Sequence, residues 1–170
     1  EFESPVTEGT VTVEFEQYAN GVTNAIYLTH PGIDCAAAGV GDHVMSSNPG
    51  NTGKWVKCKF VVDFSSGTYK HYYDGVLQKD AALSGNVKNN GLKSFSFRNW
   101  SGTVGKDVYI DNLEVRVENA PSQTLGFSDN FDAYETVNDT KANWNYPVPG
   151  TPASCSIEGT DNKVFNIGVS

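Results

Sequence analysis

Two glutamates, Glu14 and Glu16, stand two residues apart in the run Gly9 to Tyr18, GTVTVEFEQY. Retaining glycoside hydrolysis needs two carboxyls about 5 Å apart. Here the alternation places both acids on the wet face of a strand, and no further catalytic motif accompanies them. They read as solvated charge. The three histidines, His30, His43 and His71, lie in unrelated contexts. No G-x-S-x-G, H-E-x-x-H or phosphate-binding glycine loop occurs. The expectation is a non-catalytic chain.

Sugar binding is the second chemistry the residue types suggest. Flat aromatic faces stack on the C–H surfaces of sugars, and planar polar side chains read hydroxyls in a groove with few polar groups. The outward alternates suited to this are Tyr27, Tyr72, Arg98 and Trp100, with Asn99 and Trp144 on flanking loops. Arg98-Asn99-Trp100, at a strand end, is the strongest single cluster. The competing reading of each ring is core or rim packing. Asn99-Trp100-Ser101 and Asn138-Asp139-Thr140 are also N-glycosylation sequons, so a sugar attached at Asn99 is a third reading. The cysteines Cys35, Cys58 and Cys155 fit no zinc spacing. Cys58 falls on an apolar strand face and reads as a buried thiol. Cys35 and Cys155 lie in loop-like sequence and are the candidate disulfide pair, which would imply an oxidising compartment.

The elements that must position these residues are strands. Trp55 to Gly75, WVKCKFVVDFSSGTYKHYYDG, carries the strongest pattern. Val56, Cys58, Phe60, Val62 and Phe64 alternate with Trp55, Lys57, Lys59, Val61 and Asp63, the period-two signature of a strand with one apolar face. Ser65-Ser66-Gly67 supplies a turn, and Thr68 to Tyr73 returns to a second turn at Asp74-Gly75. A one-residue slip would expose the whole apolar set, so the register is expected to be firm. Further strands are expected over Gly9 to Tyr18, Asn24 to His30, Leu92 to Trp100, Lys106 to Val117, Phe127 to Tyr134, Cys155 to Ile157 and Lys163 to Val169, with short ones at Asp42 to Ser46 and Val76 to Lys79. Leu83 to Gly91 reads as polar and turn-like, and no amphipathic helix of useful length is expected.

A chain of 170 residues allows one domain with a substantial core. Its net charge of −8 and pI near 4.7, with basic residues scattered, argue against a nucleic-acid or anionic-membrane partner. No apolar run is long enough to span a bilayer. The chain starts at Glu1 without Met and without a visible signal peptide, so a processed chain or an excerpt is expected.

The Trp55–Gly75 hairpin resembles the central hairpin of the concanavalin A-like jelly rolls, a superfamily that includes laminin-G-like domains, legume-type lectins and many carbohydrate-binding modules. Val108-Tyr109-Ile110-Asp111-Asn112-Leu113-Glu114-Val115 is similar to their closing strand. Phe127-Ser128-Asp129-Asn130-Phe131-Asp132-Ala133-Tyr134 resembles their opening strand. The resemblance implies an all-β, two-sheet antiparallel jelly-roll sandwich. The Glu-x-Asp-x-Glu of the superfamily's glucanases is not matched. Relatives often hold a structural calcium ion where opening and closing strands meet; Asp111, Asp129 and Asp132 fall at the matching positions, and such an ion needs 6–8 oxygen ligands.

In this chain the opening-like segment follows the closing one. Residues 1–117 would form the main body, 118–126 a connection and 127–170 the displaced opening strands. Such a tail can fold back as a circular permutant, since the ~10-residue connection spans enough at ~3.3 Å per residue. Alternatively it can complete the sheet of a neighbouring identical subunit, a head-to-tail contact that builds an open fibre. The expectation is therefore an extracellular structural subunit of a surface filament that assembles by strand complementation. The alternative is a secreted carbohydrate-binding module with polysaccharide as its partner. No cofactor is expected beyond the candidate calcium.

Overall fold

The computed structural model of the protein describes residues 2, 4–20, 24–29, 42–46, 53–99, 105–120, 126–136, 155–160 and 162–167; at 24–29, 42–46, 98–99, 126–127, 155–156 and 165–167 it describes the backbone alone. Among these residues the chain is mostly antiparallel β, with one short helix. The strands are β1 (Thr10–Ala19), β2 (Asn24–Thr29), β3 (Asp42–Ser46), β4 (Trp55–Asp63), β5 (Thr68–Tyr73), β6 (Val76–Ala82), β7 (Ser94–Asn99), β8 (Val108–Glu118), β9 (Gly126–Asp129), β10 (Cys155–Glu158) and β11 (Val164–Ile167). An eight-stranded sheet runs β10-β11-β8-β1-β4-β5-β6, with β9 also paired to β8, and a three-stranded sheet runs β3-β2-β7.

The large sheet owes its register to the period-two pattern of its central strands. Val13 lies opposite Phe60 on β4 and Val115 on β8, and Val11 opposite Val62 and Val117. All six are buried, forming apolar rows across three strands on one face. The alternates, Glu14, Glu16, Lys57, Lys59 and Arg116, stay on the wet face. Phe97 of β7 reaches the same core, its ring edge-on to Phe15 at 4.9 Å. Phe15 and Phe60 are parallel at 6.3 Å.

The turns follow the local chemistry. Asp63 accepts hydrogen bonds from the backbone N–H of Ser65 (2.8 Å) and from both serine hydroxyls, closing the β4–β5 turn before Gly67 at φ 66°. Asp74 and Gly75 both take positive φ, the pairing that a tight hairpin with the strands' own twist requires. Gly9 (φ +74°) immediately precedes β1, at a point where a Cβ would stand 2.3 Å from the carbonyl oxygen of Glu118. That approach leaves room for no other residue.

Three segments differ from the sequence expectation. Residues 83–91, read as turn-like, hold a short helix α1 (Gly85–Asn90). Ser84 caps it by accepting from the Val87 N–H, and the Gly91 N–H bonds back to the Val87 carbonyl. The helix serves to bury Val87. The opening-like segment is strand only as far as Asp129. There the Asp129 carboxylate accepts from the Phe131 N–H at 2.8 Å and turns the chain, and Phe131, at φ 62°, is buried in the core. A positive φ is unusual for a bulky residue and is held here by the packing around it. β6 is also longer than expected, extending to Ala82.

Two of the strands described after residue 125 pair with the body along one edge of β8. β9 pairs with Leu113–Arg116 of β8, and β11 with Val108–Ile110 of the same edge. Between them β8 bulges. The β1 register slips between Glu14 and Glu16, and Asn112 takes φ 50°. The extra residue is why Ile110 and Leu113, three apart, both point into the core.

Candidate functional site: an aromatic row on the outer face of the large sheet

The outward positions of the large sheet carry two unlike arrangements. The first is an ionic lattice at mid-strand. Glu14 pairs with Lys59 at 3.0 Å and with Arg116, and Arg116 with Glu114 at 2.6 Å. Burial pushes the Glu14 carboxyl up, but the hydrogen bonds and charges of Lys59 and Arg116 outweigh it and hold the group below its ordinary range. Glu16 accepts from the Asn112 amide at 3.2 Å and lies 3.9 Å from Lys57. A carboxyl held ionised on both sides by cations is poorly suited to donate a proton to a leaving group.

The second arrangement lies at the end where β1 finishes and β4 and β8 begin. Tyr18 is directly opposite Trp55 on β4 and Tyr109 on β8. The ring centroids are 5.9 Å apart on each side, tilted at 56° to Trp55 and 72° to Tyr109. Trp55 is 45% exposed, and both tyrosines are half-buried. The row is built by neighbouring turns: the Gly53 N–H donates to the Ala19 carbonyl, and the Asn20 N–H to Asp107. Burial, then the nearby negative charges of Glu158 and Asp107, push the Tyr109 phenol up, so it stays a neutral donor well above physiological pH. The Lys57 N–H donates to Asp74 at 2.9 Å and braces the start of β4.

The residues singled out from sequence are divided between the sheets. Tyr72 lies on the outer face opposite Lys59, away from the aromatic row. Tyr27, Arg98 and Asn99 belong to the small sheet, with Tyr27 opposite Ser96, Arg98 opposite Ala25 and Asn99 opposite Asn24. Trp100, Trp144, Asn138 and Cys35 lie outside the described residues, as does the side chain of Cys155, and with them the Cys35–Cys155 pairing and the Asn138 sequon. Cys58 is buried and free, and burial together with the Asp74 charge pushes its thiol up so that it remains protonated. Tyr18, Trp55 and Tyr109 were not singled out. Their shared signal is an outward aromatic at a strand end beside a glycine turn.

The three candidate calcium aspartates all sit near the β8 bulge. Asp111 is buried and accepts from the Asn112 N–H (2.7 Å) and the Asn162 amide (3.1 Å). Burial, ahead of the Asp132 and Glu16 charges, pushes its carboxyl up in spite of those bonds. Asp129 accepts from Tyr134 at 2.7 Å, and Asp132 from the Lys163 N–H at 2.8 Å. Among the described residues no group of three acidic, histidine or cysteine side chains is arranged to hold a metal ion. An open cleft of about 610 Å³ lies beside this junction, lined by Asn112, Glu114, Asn130 and Tyr134 among others. It does not include the aromatic row. No described helix is long and apolar enough to cross a membrane. No protein-family model matches the chain, and no curated protein matches it.

Proposed function

We propose that this chain is a non-catalytic, extracellular β-sandwich module of concanavalin A-like type that binds polysaccharide on the outer face of its large sheet. The observation that carries the reading is the cross-strand row Tyr109–Tyr18–Trp55. Three rings in register on a solvent-facing sheet, one of them nearly half exposed, offer the aromatic surface on which sugar C–H groups stack. The Glu16–Lys57–Asn112 group beside them offers donors and acceptors for hydroxyls. The pinned state of Glu14 supports binding without hydrolysis. Affinity electrophoresis of the purified chain through gels containing soluble polysaccharides tests this. Retardation of the wild type that disappears in Trp55→Ala is expected, and unretarded migration in every polysaccharide would reject it.

The filament reading keeps one specific support. Segment 126–167 joins the body through the outer edge of β8 and through Phe131 seated in the core. An arm that docks by one strand edge and one buried anchor is the kind that a neighbouring copy can supply in its place.

A further inference from the structure

We infer that the aromatic row takes a single, uncharged polysaccharide chain laid across the strands from β8 to β4, rather than a crystalline polysaccharide surface or a polyuronate. The inference rests on the binding reading above and names its substrate class.

The direction follows from the register. Tyr109, Tyr18 and Trp55 are mutual cross-strand neighbours, so their row runs perpendicular to the strands. It covers two interstrand steps of about 4.8 Å each, comparable to a disaccharide in an extended chain. A ligand running along the strands would meet one ring and then the ionic lattice of Glu14, Lys59 and Arg116.

The choice of a single chain follows from ring planes. A crystal face is flat and needs coplanar rings. Here Tyr18 makes angles of 56° and 72° with its neighbours, so a flat surface that lies on Tyr18 can lie on neither of them, and none can lie on all three. Sheet twist, about 20–25° per strand, turns the contact points further out of plane. A free chain rotates about its glycosidic bonds and can present each sugar to a differently tilted ring.

The preference for an uncharged chain follows from local balance. Glu16, Asp107 and Glu158 surround the row, against Lys54, Lys57 and Lys106 on the same strand ends and turns. Three acids against three bases leave no positive field, and the whole chain carries −8. A polyanion gains no long-range attraction here.

The test uses the intact chain with three probes: soluble neutral polysaccharides (β-glucan, xylan, galactomannan) and polygalacturonate in affinity gels, and microcrystalline cellulose and chitin in pull-downs. The expected result is retardation by at least one neutral soluble chain and none by polygalacturonate, with no pelleting on either powder. Tyr18→Ala and Trp55→Ala should each weaken that binding about tenfold or more, the scale of one lost stacking contact. Lys70→Ala, on the same face but off the row, should leave it unchanged. Near-ultraviolet circular dichroism checks that each variant is folded; should Tyr18→Ala unfold, Trp55→Ala at the exposed end decides. Binding to powder or polygalacturonate that depends on Trp55 would overturn the substrate class and leave glycan binding standing. Neutral-chain binding indifferent to both variants would overturn the site. Wild type that binds none of the probes would remove the binding reading itself.

Discussion

At the residue scale, His71 is the group whose surroundings most oppose its chemistry. It is buried against the face of Phe60 at 4.6 Å and edge-on to Tyr73 at 4.4 Å, and among the described residues its Nε2 has no hydrogen-bond partner. Burial, with the charge of Lys79, pulls its pKa down to about 4. The folded protein therefore carries it neutral while the unfolded chain protonates it near 6.5. Between those values the unfolded state binds more protons, so stability is full above pH 6.5 and falls as the pH drops towards 4. The expected loss is roughly 3 kcal/mol over the window. Urea unfolding at pH 7.5 and pH 4.2 should show this loss in the wild type and much less in His71→Phe, and equal losses in both would contradict the assignment. Asp63, held down to about 2 chiefly by the Ser65 and Ser66 hydroxyls, titrates below this window. The apolar side of the hairpin around His71 was legible from alternation. That an imidazole would be sealed within it was not, because its stacking ring, Phe60, comes from the neighbouring strand β4.

At the element scale, β8 organises the molecule. One edge pairs with β1 throughout, and the other is shared end to end by β9 and β11. The Asp111–Asn112 bulge lies between the two docking strands. Phe131 is the plug that holds this arm, despite its left-handed backbone. Phe131→Ala should cost roughly 3–5 kcal/mol, the usual range for emptying an aromatic core site. Native-state hydrogen exchange should place the largest loss of protection on the β9 amides, and uniform protection across the sheet would mean that the arm does not depend on this anchor. The sequence reads as one strand from Phe127 to Tyr134. It concealed the turn, because Phe127, Phe131 and Ala133 fall on one side and Ser128, Asn130 and Asp132 on the other, as in a strand, with only Asp129 out of phase. The side-chain hydrogen bond from the Phe131 N–H overrides that pattern.

At the scale of the whole molecule, the binding and filament readings part over mass. With the arm paired to its own β8, the large sheet ends in β10 on one side and β6 on the other. β6 is exposed along most of its length and carries Lys79 and Asp80, charges that discourage pairing with another copy. The chain is therefore expected to remain a single 18.4 kDa species across a hundredfold or so of concentration in sedimentation velocity, as self-association of this edge is weak. Mass that climbs with concentration and collapses in Phe131→Ala would instead favour exchange of the arm between copies.

Alternation alone was enough to determine that the chain is built of antiparallel strands, which faces of β1 and β4 turn inward, and where the Asp74-Gly75 hairpin closes, because these depend on neighbours one to three residues away; the inward face of β8 changes at its bulge and was left to the fold. The aromatic row was left to the tertiary structure. Tyr18, Trp55 and Tyr109 each look like an ordinary outward residue in its own strand. They become a surface only when the registers of β1 with β4 and of β1 with β8 bring them level, and those registers are set by the apolar rows on the opposite face of the sheet.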